Sequence, residues 1–436
     1  GGVLTVALPA RGARVYESLA SRGTALAQSL DRLVVETTFP GHDQSLNDRR
    51  SKLHVVFDRA VDPATLAPSA HFTPAVAGTW TVQGREATFF PAAAWPASQV
   101  VSWSFDTTLR ALDGRRIGVA YDSRFRTTAY ATGITVPSGY SADRIARQNF
   151  GAPVSVIPAP WVGPDVMLVG DVGKDRIFTL TPGSDFGHWI GDSRWTKSYG
   201  FARCSTGVNI ATNGTSLYRV DDRRYVTALS GIYNAASFGS IAFGASQAWG
   251  RRLYVGEPAA NRLSALDANG LLQSFASPIS APMGMTFGGG GQWGDLLYVC
   301  DPSLTASNGQ LDGASRIAYV TSAGVVGTFA QDATLLKGAG SIAIDPSGKF
   351  NHDLFVADLL NERVLRITHG GAISIFATGF GNLSGTQCLA FGPDGALYVA
   401  DAGSGDSFTR PTGLSAQGQV IRIVPDVAVA DASPSP

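Results

Sequence analysis

The chain has 436 residues, enough for two or three domains with sizeable cores. Its 34 Lys and Arg residues equal its 34 Asp and Glu residues, and a zero formal net charge excludes the basic surface typical of nucleic-acid-binding proteins. No apolar run reaches the roughly 18–20 residues that a membrane-spanning helix needs, so we expect no membrane span.

The two ends of the chain read as connecting segments. Apolar side chains recur at helical spacing between Val15 and Leu30, although Gly23 interrupts the stripe. We therefore predict a linker or helical segment over residues 1–32. The end DASPSP predicts a Pro/Ser-rich tail over residues 426–436, and both ends suggest a longer parent chain.

The pattern of the next region is that of a β-sandwich. Apolar side chains alternate with polar ones along two stretches, at Leu53, Val55 and Phe57 and again at Val101, Trp103 and Phe105. The stretch GTWTVQGREATFFPAAAW predicts two strands joined by a turn at its central Gln-Gly pair, and QVVSWSFDTTLRALDG and YDSRFRTT predict two more. Together these strands predict a two-sheet sandwich of about 90 residues.

The same region resembles a known module. The stretches VVFDRAVDPATL, ATFFPAAAW and ALDGRRIGVAYDSRFRTT resemble the bacterial Ig-like module of surface-layer and secreted proteins. This resemblance implies a spacer or adhesion domain, which we assign to residues 33–130.

The remaining two thirds of the chain contain a repeat. Six copies of an apolar strand, a polar turn and a second strand begin at Met167, Leu217, Leu253, Leu297, Leu354 and Leu397. They are 36 to 57 residues apart, and a further strand precedes and follows most copies. Periods of about 40–50 residues with four strands each are typical of β-propellers. We predict an all-β chain in which a six-bladed β-propeller occupies residues 136–425.

The ends of the repeat region predict how the ring closes. The sixth copy stops at its third strand, QVIRIVP, so its blade lacks one strand. The stretch GYSADRIARQNF precedes the first copy and contains a strand-like segment from Ala142 to Arg147. We predict that this segment completes the last blade, because closure protects sheet edges from aggregation.

The repeated wording resembles one superfamily of propellers. LYVAD followed by NRVxRI is similar to the NHL-repeat and gluconolactonase-like six-bladed propellers, over Gly139 to Pro425. The resemblance implies the fold, whereas this scaffold carries many functions. The gluconolactonase-like group holds an ion with a Glu/Asn/Asp set at its central mouth, and no residue-by-residue match to that set is found. We therefore assign no catalytic and no cofactor-binding residue.

Acidic residues recur near the turn of each copy and are the candidate metal ligands. They are Asp171, Asp221, Glu257, Asp301, Asp358 and Asp401. A ring of carboxylates would suit Ca²⁺, the one cofactor that we consider. An arginine follows five residues later in three copies, and Arg316 follows Asp301 after a longer insertion. Because the two positions face each other across a hairpin, we favour ion pairs or loop-capping hydrogen bonds over metal binding.

Other residue types give weaker signals. The six histidines form no H-x-H or H-x-x-x-H pair, and the three cysteines are far apart, which predicts buried thiols. The insertions over residues 301–315 and 401–419 predict loops that either ligate through oxygen or are solvated turns. Trp189, Trp195 and Tyr199 would either stack on a sugar or pack between blades.

These observations favour a secreted or cell-surface module over an enzyme. We predict an extracellular, cell-surface or periplasmic protein whose propeller loops bind a protein or carbohydrate partner. The alternatives are a metal-dependent lactonase-like hydrolase and a quinone-dependent sugar dehydrogenase, which GYSADRIARQ loosely resembles. A third possibility is a structural subunit of a large envelope or extracellular assembly.

Overall fold

The computed structural model describes residues 32–47, 52–93, 95–96, 99–127, 129–130, 133–146, 150–181, 187–191, 200–204, 207–212, 216–221, 224–229, 238–304, 311–403 and 418–426. The chain divides into two compact units, residues 1–127 and residues 128–436, and each is described by itself. Apart from Arg32 and Asp426, the predicted N-terminal segment and tail lie outside the described residues. None of the helices found in the described ranges is long and apolar enough to cross a membrane.

The first unit is a sandwich of two four-stranded sheets. Its strands are β1 (Val35–Phe39), β2 (Gln44–Asn47), β3 (Leu53–Phe57), β4 (Ala70–Thr73), β5 (Gly78–Gln83), β6 (Glu86–Pro91), β7 (Val100–Phe105) and β8 (Tyr121–Thr127). One sheet has the order β1-β3-β6-β5 and the other β2-β8-β7-β4. The predicted turn between β5 and β6 is confirmed, with Gly84 in the left-handed conformation at φ 60°.

The core of this unit follows the alternation seen in the sequence. Leu53, Val55 and Phe57 of β3 are completely buried, while the intervening His54 and Val56 are half-buried. The inward side chains of β7 are equally buried, so the two sheets enclose one apolar layer. The predicted sandwich is therefore confirmed.

One element of this unit departs from the prediction. The stretch KLHVVFDRAVDPATL predicts a strand followed by a turn, but the structure has a helix after β3, α1 (Pro63–Ser69). The Asp62 carboxylate caps it by accepting a hydrogen bond from the backbone N–H of Ala64 at 3.0 Å, and Pro63 occupies its first turn. The Asp-Pro pair was the signal for this helix.

The second unit is a six-bladed β-propeller. Blade 1 consists of β11 (Pro153–Pro158), β12 (Met167–Asp171), β13 (Arg176–Leu180) and β14 (Gly187–Gly191). Blade 2 consists of β15 (Gly200–Arg203), β16 (Asn209–Thr212), β17 (Leu217–Val220) and β18 (Val226–Ala228). Blade 3 consists of β19 (Ile241–Phe243), β20 (Leu253–Glu257), β21 (Arg262–Leu266) and β22 (Leu272–Ala276). The prediction of an all-β chain with a sandwich and a propeller is confirmed.

The remaining blades have the same order of strands. Blade 4 consists of β23 (Met285–Phe287), β24 (Leu297–Leu304), β25 (Leu311–Val320) and β26 (Val326–Gln331). Blade 5 consists of β27 (Ala339–Ile344), β28 (Leu354–Asp358), β29 (Arg363–Ile367) and β30 (Ile373–Ala377). Blade 6 consists of β31 (Leu389–Phe391), β32 (Leu397–Asp401) and β33 (Gln419–Pro425), together with β10 (Tyr140–Ala146) and β9 (Ala129–Tyr130). We call the mouth the edge of the ring at which each second strand ends and each first strand begins.

The ring closes as the sequence predicts. Strand β10 pairs antiparallel with β33, and Tyr140 lies opposite Pro425. Ala142 and Ile145 of β10 are buried in the core that blades 1, 5 and 6 share. The missing fourth strand of blade 6 is therefore supplied by the segment that precedes blade 1.

The insertion in blade 4 is more regular than predicted. The ladder between β24 and β25 continues beyond Asp301 and Arg316, and Leu304 still pairs with Leu311. The prediction of a loop over this whole stretch is wrong, because the hairpin extends into it. Residues 305–310 and most of the second insertion, residues 404–417, lie outside the described residues.

Candidate functional site

The recurring carboxylates are structural in their contacts. Five of them lie on the second strand of their blade, at its last residue except in the longer strand of blade 4, and are at most 5% exposed: Asp171, Glu257, Asp301, Asp358 and Asp401. In four of the five blades the carboxylate accepts hydrogen bonds from backbone N–H groups that precede the first strand of the same blade. In these four blades, the bonds join the segment before the first strand to the second strand.

The predicted ion pairs are present in blades 3, 4 and 5. The Nε atoms of the three arginines lie 2.7 to 2.9 Å from a carboxylate oxygen, in the pairs Glu257–Arg262, Asp301–Arg316 and Asp358–Arg363. In blade 5, Asp358 also accepts from the Asn361 side chain at 2.8 Å. The prediction of ion pairs across the hairpins is therefore confirmed in these three blades. In blade 1, the predicted partner Arg176 does not take this role, and the bonds of Asp171 come from backbone N–H groups.

In blades 1 and 6, the repeated acid accepts several hydrogen bonds. Asp171 accepts from the backbone N–H groups of Gly151, Ala152 and Gly173 at 2.7 to 2.9 Å. Burial raises the pKa of Asp171, although these three donors favour its charged form. Asp401 likewise accepts from three backbone N–H groups and from the Gln419 side chain.

The sixth acid has a different position. In blade 2, the copy that begins at Leu217 forms the third and fourth strands, and not the second and third. Asp221 therefore lies at the edge opposite the mouth, where it caps the backbone N–H of Tyr225 at 2.9 Å. Asp267 of blade 3 has the same role toward Leu271. The placement of Asp221 with the other acids was wrong, because two consecutive hairpins of one blade resemble each other in sequence.

Hydrogen bonds already occupy the carboxylates that are the candidate calcium ligands. Within the described parts of the chain, no three His, Cys, Asp or Glu side chains lie close enough together to hold a metal ion. The oxygens of Asp171, Asp358 and Asp401 already accept hydrogen bonds from N–H groups that would repel a cation. Calcium binding at these residues stays a prediction.

Backbone hydrogen bonds join neighbouring blades near the axis of the ring. The N–H of Ser240 donates to the carbonyl of Met283 at 3.0 Å, and that of Gly284 donates to the carbonyl of Gly340 at 2.8 Å. A Cβ atom on Gly284 would lie 2.6 Å from the same Gly340 oxygen, so glycine is required for this approach. Blades 3, 4 and 5 are thus joined directly at the centre.

The side chain of Gln387 connects blade 6 with two other blades near the axis. The Gln387 side chain, which precedes the first strand of blade 6, accepts from the N–H of Phe201 in blade 2 at 2.7 Å. Its Nε2 donates to the carbonyls of Phe201 and of Ile241 in blade 3 at 3.1 and 3.3 Å. The Gln387 amide therefore links blades 2, 3 and 6 by hydrogen bonds.

Glu362 occupies a special position at the mouth. It lies in the turn between β28 and β29 with φ 48°, a left-handed conformation that side chains rarely adopt. The equivalent positions of blades 1 and 3 hold Asp175 and Asn261, with φ 52° and 54°. Aspartate and asparagine tolerate this conformation, whereas a longer glutamate is unusual there.

The surroundings of Glu362 change its acidity. Its carboxylate accepts a hydrogen bond from the N–H of Leu383 at the start of blade 6. Burial raises the pKa of Glu362 to about 7, helped by the nearby carboxylates of Asp401 and Asp358 and opposed by the Leu383 N–H. This carboxyl group therefore exchanges its proton near neutral pH. The sequence analysis did not single out Glu362, although a glutamate in place of Asn or Asp at the turn was the available signal.

The remaining sequence candidates have structural environments. Trp189 is 5% exposed and packs edge-on against Phe201 of the next blade, whereas Trp195 and Tyr199 lie outside the described residues. Cys300 and Cys388 are fully buried free thiols, and burial raises the pKa of Cys388 to about 12. Cys204 is half-buried, which differs from the prediction of a buried thiol.

Comparison with known proteins finds one family match and several similar solved structures. Residues 31–127 match the model of the bacterial Ig-like domain family. No curated protein sequence matches the chain. Among solved structures, the chain is similar to a gluconolactonase from Xanthomonas campestris, with 12% identity, a TM-score of 0.48 and coverage of 66% of this chain and 91% of that one.

Two other solved structures are similar over most of the chain. An auxiliary nutrient binding protein from Bacteroides ovatus has 12% identity and a TM-score of 0.47, with coverage of 91% of this chain and 98% of that one. A virginiamycin B lyase from Staphylococcus aureus has 11% identity and a TM-score of 0.43, with coverage of 90% and 99%. We base no functional argument on these likenesses. Residues 31–127 are thus similar to the bacterial Ig-like domain family, and the unit that follows them is a six-bladed β-propeller.

Proposed function

We propose that this chain is a recognition module whose propeller binds a protein or carbohydrate partner at its mouth. The observation that carries the proposal is Glu362, a half-buried carboxyl group with a pKa of about 7 on a turn at the mouth. Such a group donates a hydrogen bond when protonated and accepts one when charged. It therefore suits a polar ligand group.

The surrounding turn offers further contacts to a partner. Leu360, two residues before Glu362, is 46% exposed, and Asn361 is exposed as well. An apolar side chain beside polar ones is the usual composition of a recognition surface. The turn is held on a rigid ring, because Asp358 and Arg363 fix both of its ends and Gln387 fixes the axis.

We also propose a location outside the cytoplasm for this module. The match of residues 31–127 to a bacterial Ig-like family supports this location, because such domains resemble the spacers of surface-layer and secreted proteins. In this proposal the Ig-like unit is the spacer and the propeller is the recognition unit.

A binding experiment with charge variants tests the site. Candidate surface proteins and glycans from the source cell envelope are titrated against the full chain, Glu362→Gln and Glu362→Arg. We expect at least tenfold weaker binding for Glu362→Arg, since a bulky cation would replace a carboxyl group at the contact. Glu86→Gln, an exposed strand position in the Ig-like unit, is the control. Equal affinity of all variants for a bound partner would refute the site.

The same observation favours one alternative, a lactonase-like hydrolase. A carboxyl group with a pKa near 7 is suited to general acid-base catalysis. Lactone hydrolysis is measured between pH 5 and 9 with and without added Ca²⁺. Turnover that follows the titration of Glu362 and falls at least a hundredfold in Glu362→Gln would replace the binding proposal by the enzyme.

A further inference from the structure

A polar groove lies on the outer face of one sheet of the Ig-like unit. It follows β7 and is bounded by β4 and β8, in the sheet order β2-β8-β7-β4. Two rows of directly paired residues cross it, Thr73–Ser102–Arg124 and His71–Ser104–Asp122. These residues occupy the alternate positions that face away from the apolar core.

Differences in side-chain length create the groove. The central strand contributes two serines, which are among the shortest polar side chains, whereas the flanking strands contribute longer ones such as His71 and Arg124. The result is a depression of about 380 Å³ with Ser102 and Ser104 as its floor. A cavity of this size is within the range of small-ligand sites.

Charged groups of both signs stand along the groove. His71 Nε2 lies 2.9 Å from Oδ2 of Asp106, which fixes the ring on one wall. On the other wall, Arg124 Nε lies 2.5 Å from Oδ1 of Asp43. Asp122 stands beside Arg124 on the same face, and its carboxylate is exposed, with no partner among the residues that the structure describes. The groove therefore presents donors and acceptors side by side.

We propose that this groove binds an uncharged carbohydrate chain. An anionic ligand would be repelled by the unpaired Asp122. A cationic ligand at Asp122 would lie beside the Arg124 guanidinium, whose charge Asp43 offsets only in part because the pair is exposed. An uncharged ligand with many hydroxyl groups satisfies both, because each hydroxyl group donates to one neighbour and accepts from another. Hydrogen bonds to charged groups are also the stronger ones. The proposal concerns the Ig-like unit and is independent of the site at the propeller mouth.

Titration calorimetry of the full chain tests this site. The probes are neutral gluco-, manno-, galacto- and xylo-oligosaccharides, with oligogalacturonate and spermine as charged comparators. We expect at least one neutral saccharide to bind with a Kd in the millimolar range or tighter and at least tenfold better than both charged probes. The absence of any neutral binder, or a preference for a charged probe, would overturn the proposal.

Matched variants locate the binding. Ser104→Phe fills the floor of the groove without entering the core, and Asp122→Asn removes the unpaired charge, so we expect losses of at least tenfold and about fivefold. Thr81→Phe, on the outer face of the other sheet, should bind as the parent chain does. Unchanged binding by both groove variants, or an equal loss in Thr81→Phe, would overturn the assignment to this groove.

Discussion

Asp358 illustrates what a buried, repeated acid does in this ring. It is completely buried, accepts the backbone N–H of Gly338 at 2.9 Å and pairs with Arg363. Removing one partner of a buried pair leaves an unpaired charge. We expect Asp358→Ala to lower the free energy of unfolding of the propeller by about 3 kcal/mol, measured by urea unfolding.

An exposed ion pair provides the comparison for Asp358. Glu36 and Arg85 of the Ig-like unit lie 3.1 Å apart, and both side chains are about half exposed. Exposed pairs contribute little to stability, so Glu36→Gln should leave the unfolding of the chain unchanged. An Asp358→Ala chain as stable as the parent would contradict the structural role of the repeated acids.

Glu362 makes the stability of the propeller depend on pH. Its folded-state pKa of about 7 lies above the ordinary value of 4.5, so the folded state binds the proton more tightly than the unfolded state. The resulting stabilisation is fully present below pH 4.5 and is lost as the pH rises through 7. We expect the parent chain to lose about 2 kcal/mol relative to Glu362→Gln between pH 4.5 and 8, after allowance for partial exposure.

The experiment for Glu362 is a series of urea unfolding curves. Parent chain and Glu362→Gln are compared at each pH, because the glutamine keeps an acceptor for the Leu383 N–H but does not titrate. A constant difference between the two chains across this range would show that Glu362 has an ordinary pKa.

The sequence predicted the contacts of single residues only where they are local. The pairs Glu257–Arg262 and Asp358–Arg363 are five residues apart and follow from hairpin geometry. Gln387 contacts residues 146 and 186 positions away, in two other blades. Such contacts depend on the arrangement of the blades, which a repeat pattern predicts in order but not in atomic detail.

At the scale of elements, β10 is the strand on which the ring depends. It pairs along its length with β33 and buries Ala142 and Ile145. A chain that begins at residue 148 would expose both the edge of β33 and the core beneath it. We expect such a chain to lose its cooperative thermal unfolding, whereas a chain that ends at residue 430 should keep the melting temperature of the parent.

The outcome of the two truncations is judged by calorimetry and gel filtration. If the chains that begin at residue 148 and end at residue 430 melt alike, closure by β10 contributes little to the fold. The prediction of this strand required no structure, because the sixth copy visibly lacked its fourth strand.

Blade 2 shows where element prediction failed. The copy that begins at Leu217 was aligned with second strands, but β17 is a third strand. In blades 2 and 3, the outer hairpin consists of an apolar strand, a polar turn with an acid, and another strand, which is also the pattern between the second and third strands of other blades. Asp221 and Asp267 both cap such turns at the outer hairpin. The sequence therefore predicts the number of blades better than the register within one blade.

At the scale of the whole molecule, Gln387 holds blades 2, 3 and 6 together at the axis. Gln387→Leu keeps the volume but leaves the buried N–H and carbonyl of Phe201 without their side-chain partner. Unsatisfied buried groups cost about 1–3 kcal/mol each. We expect hydrogen exchange at the Phe201 amide to accelerate at least tenfold, as measured by mass spectrometry or NMR.

A surface glutamine serves as the control for Gln387. Gln273 is exposed on the outer strand of blade 3 and contacts Asp267. Gln273→Leu should leave exchange at Phe201 unchanged. Equal exchange rates at Phe201 in the parent chain and Gln387→Leu would show that the amide does not tie the blades together.

The architecture of the propeller could be predicted because its sequence pattern repeats. The proposed groove could not be predicted, because its residues form no repeated pattern. The pattern of a blade occurs in all six copies of the repeat. The row His71–Ser104–Asp122, in contrast, combines three distant segments that meet only through the pairing of β4, β7 and β8. A sequence alone does not give the register between such strands.

The pairing of β10 with β33 also has a mechanical consequence. The first residue of β10, Tyr140, lies opposite the last residue of β33, Pro425, so the chain enters and leaves the ladder at the same end. A pulling force applied between the two termini would load one hydrogen-bonded rung at a time and unzip the ring at low tension. A force applied between one terminus and a ligand bound to the blades would not act only on the end of the ladder where Tyr140 and Pro425 pair.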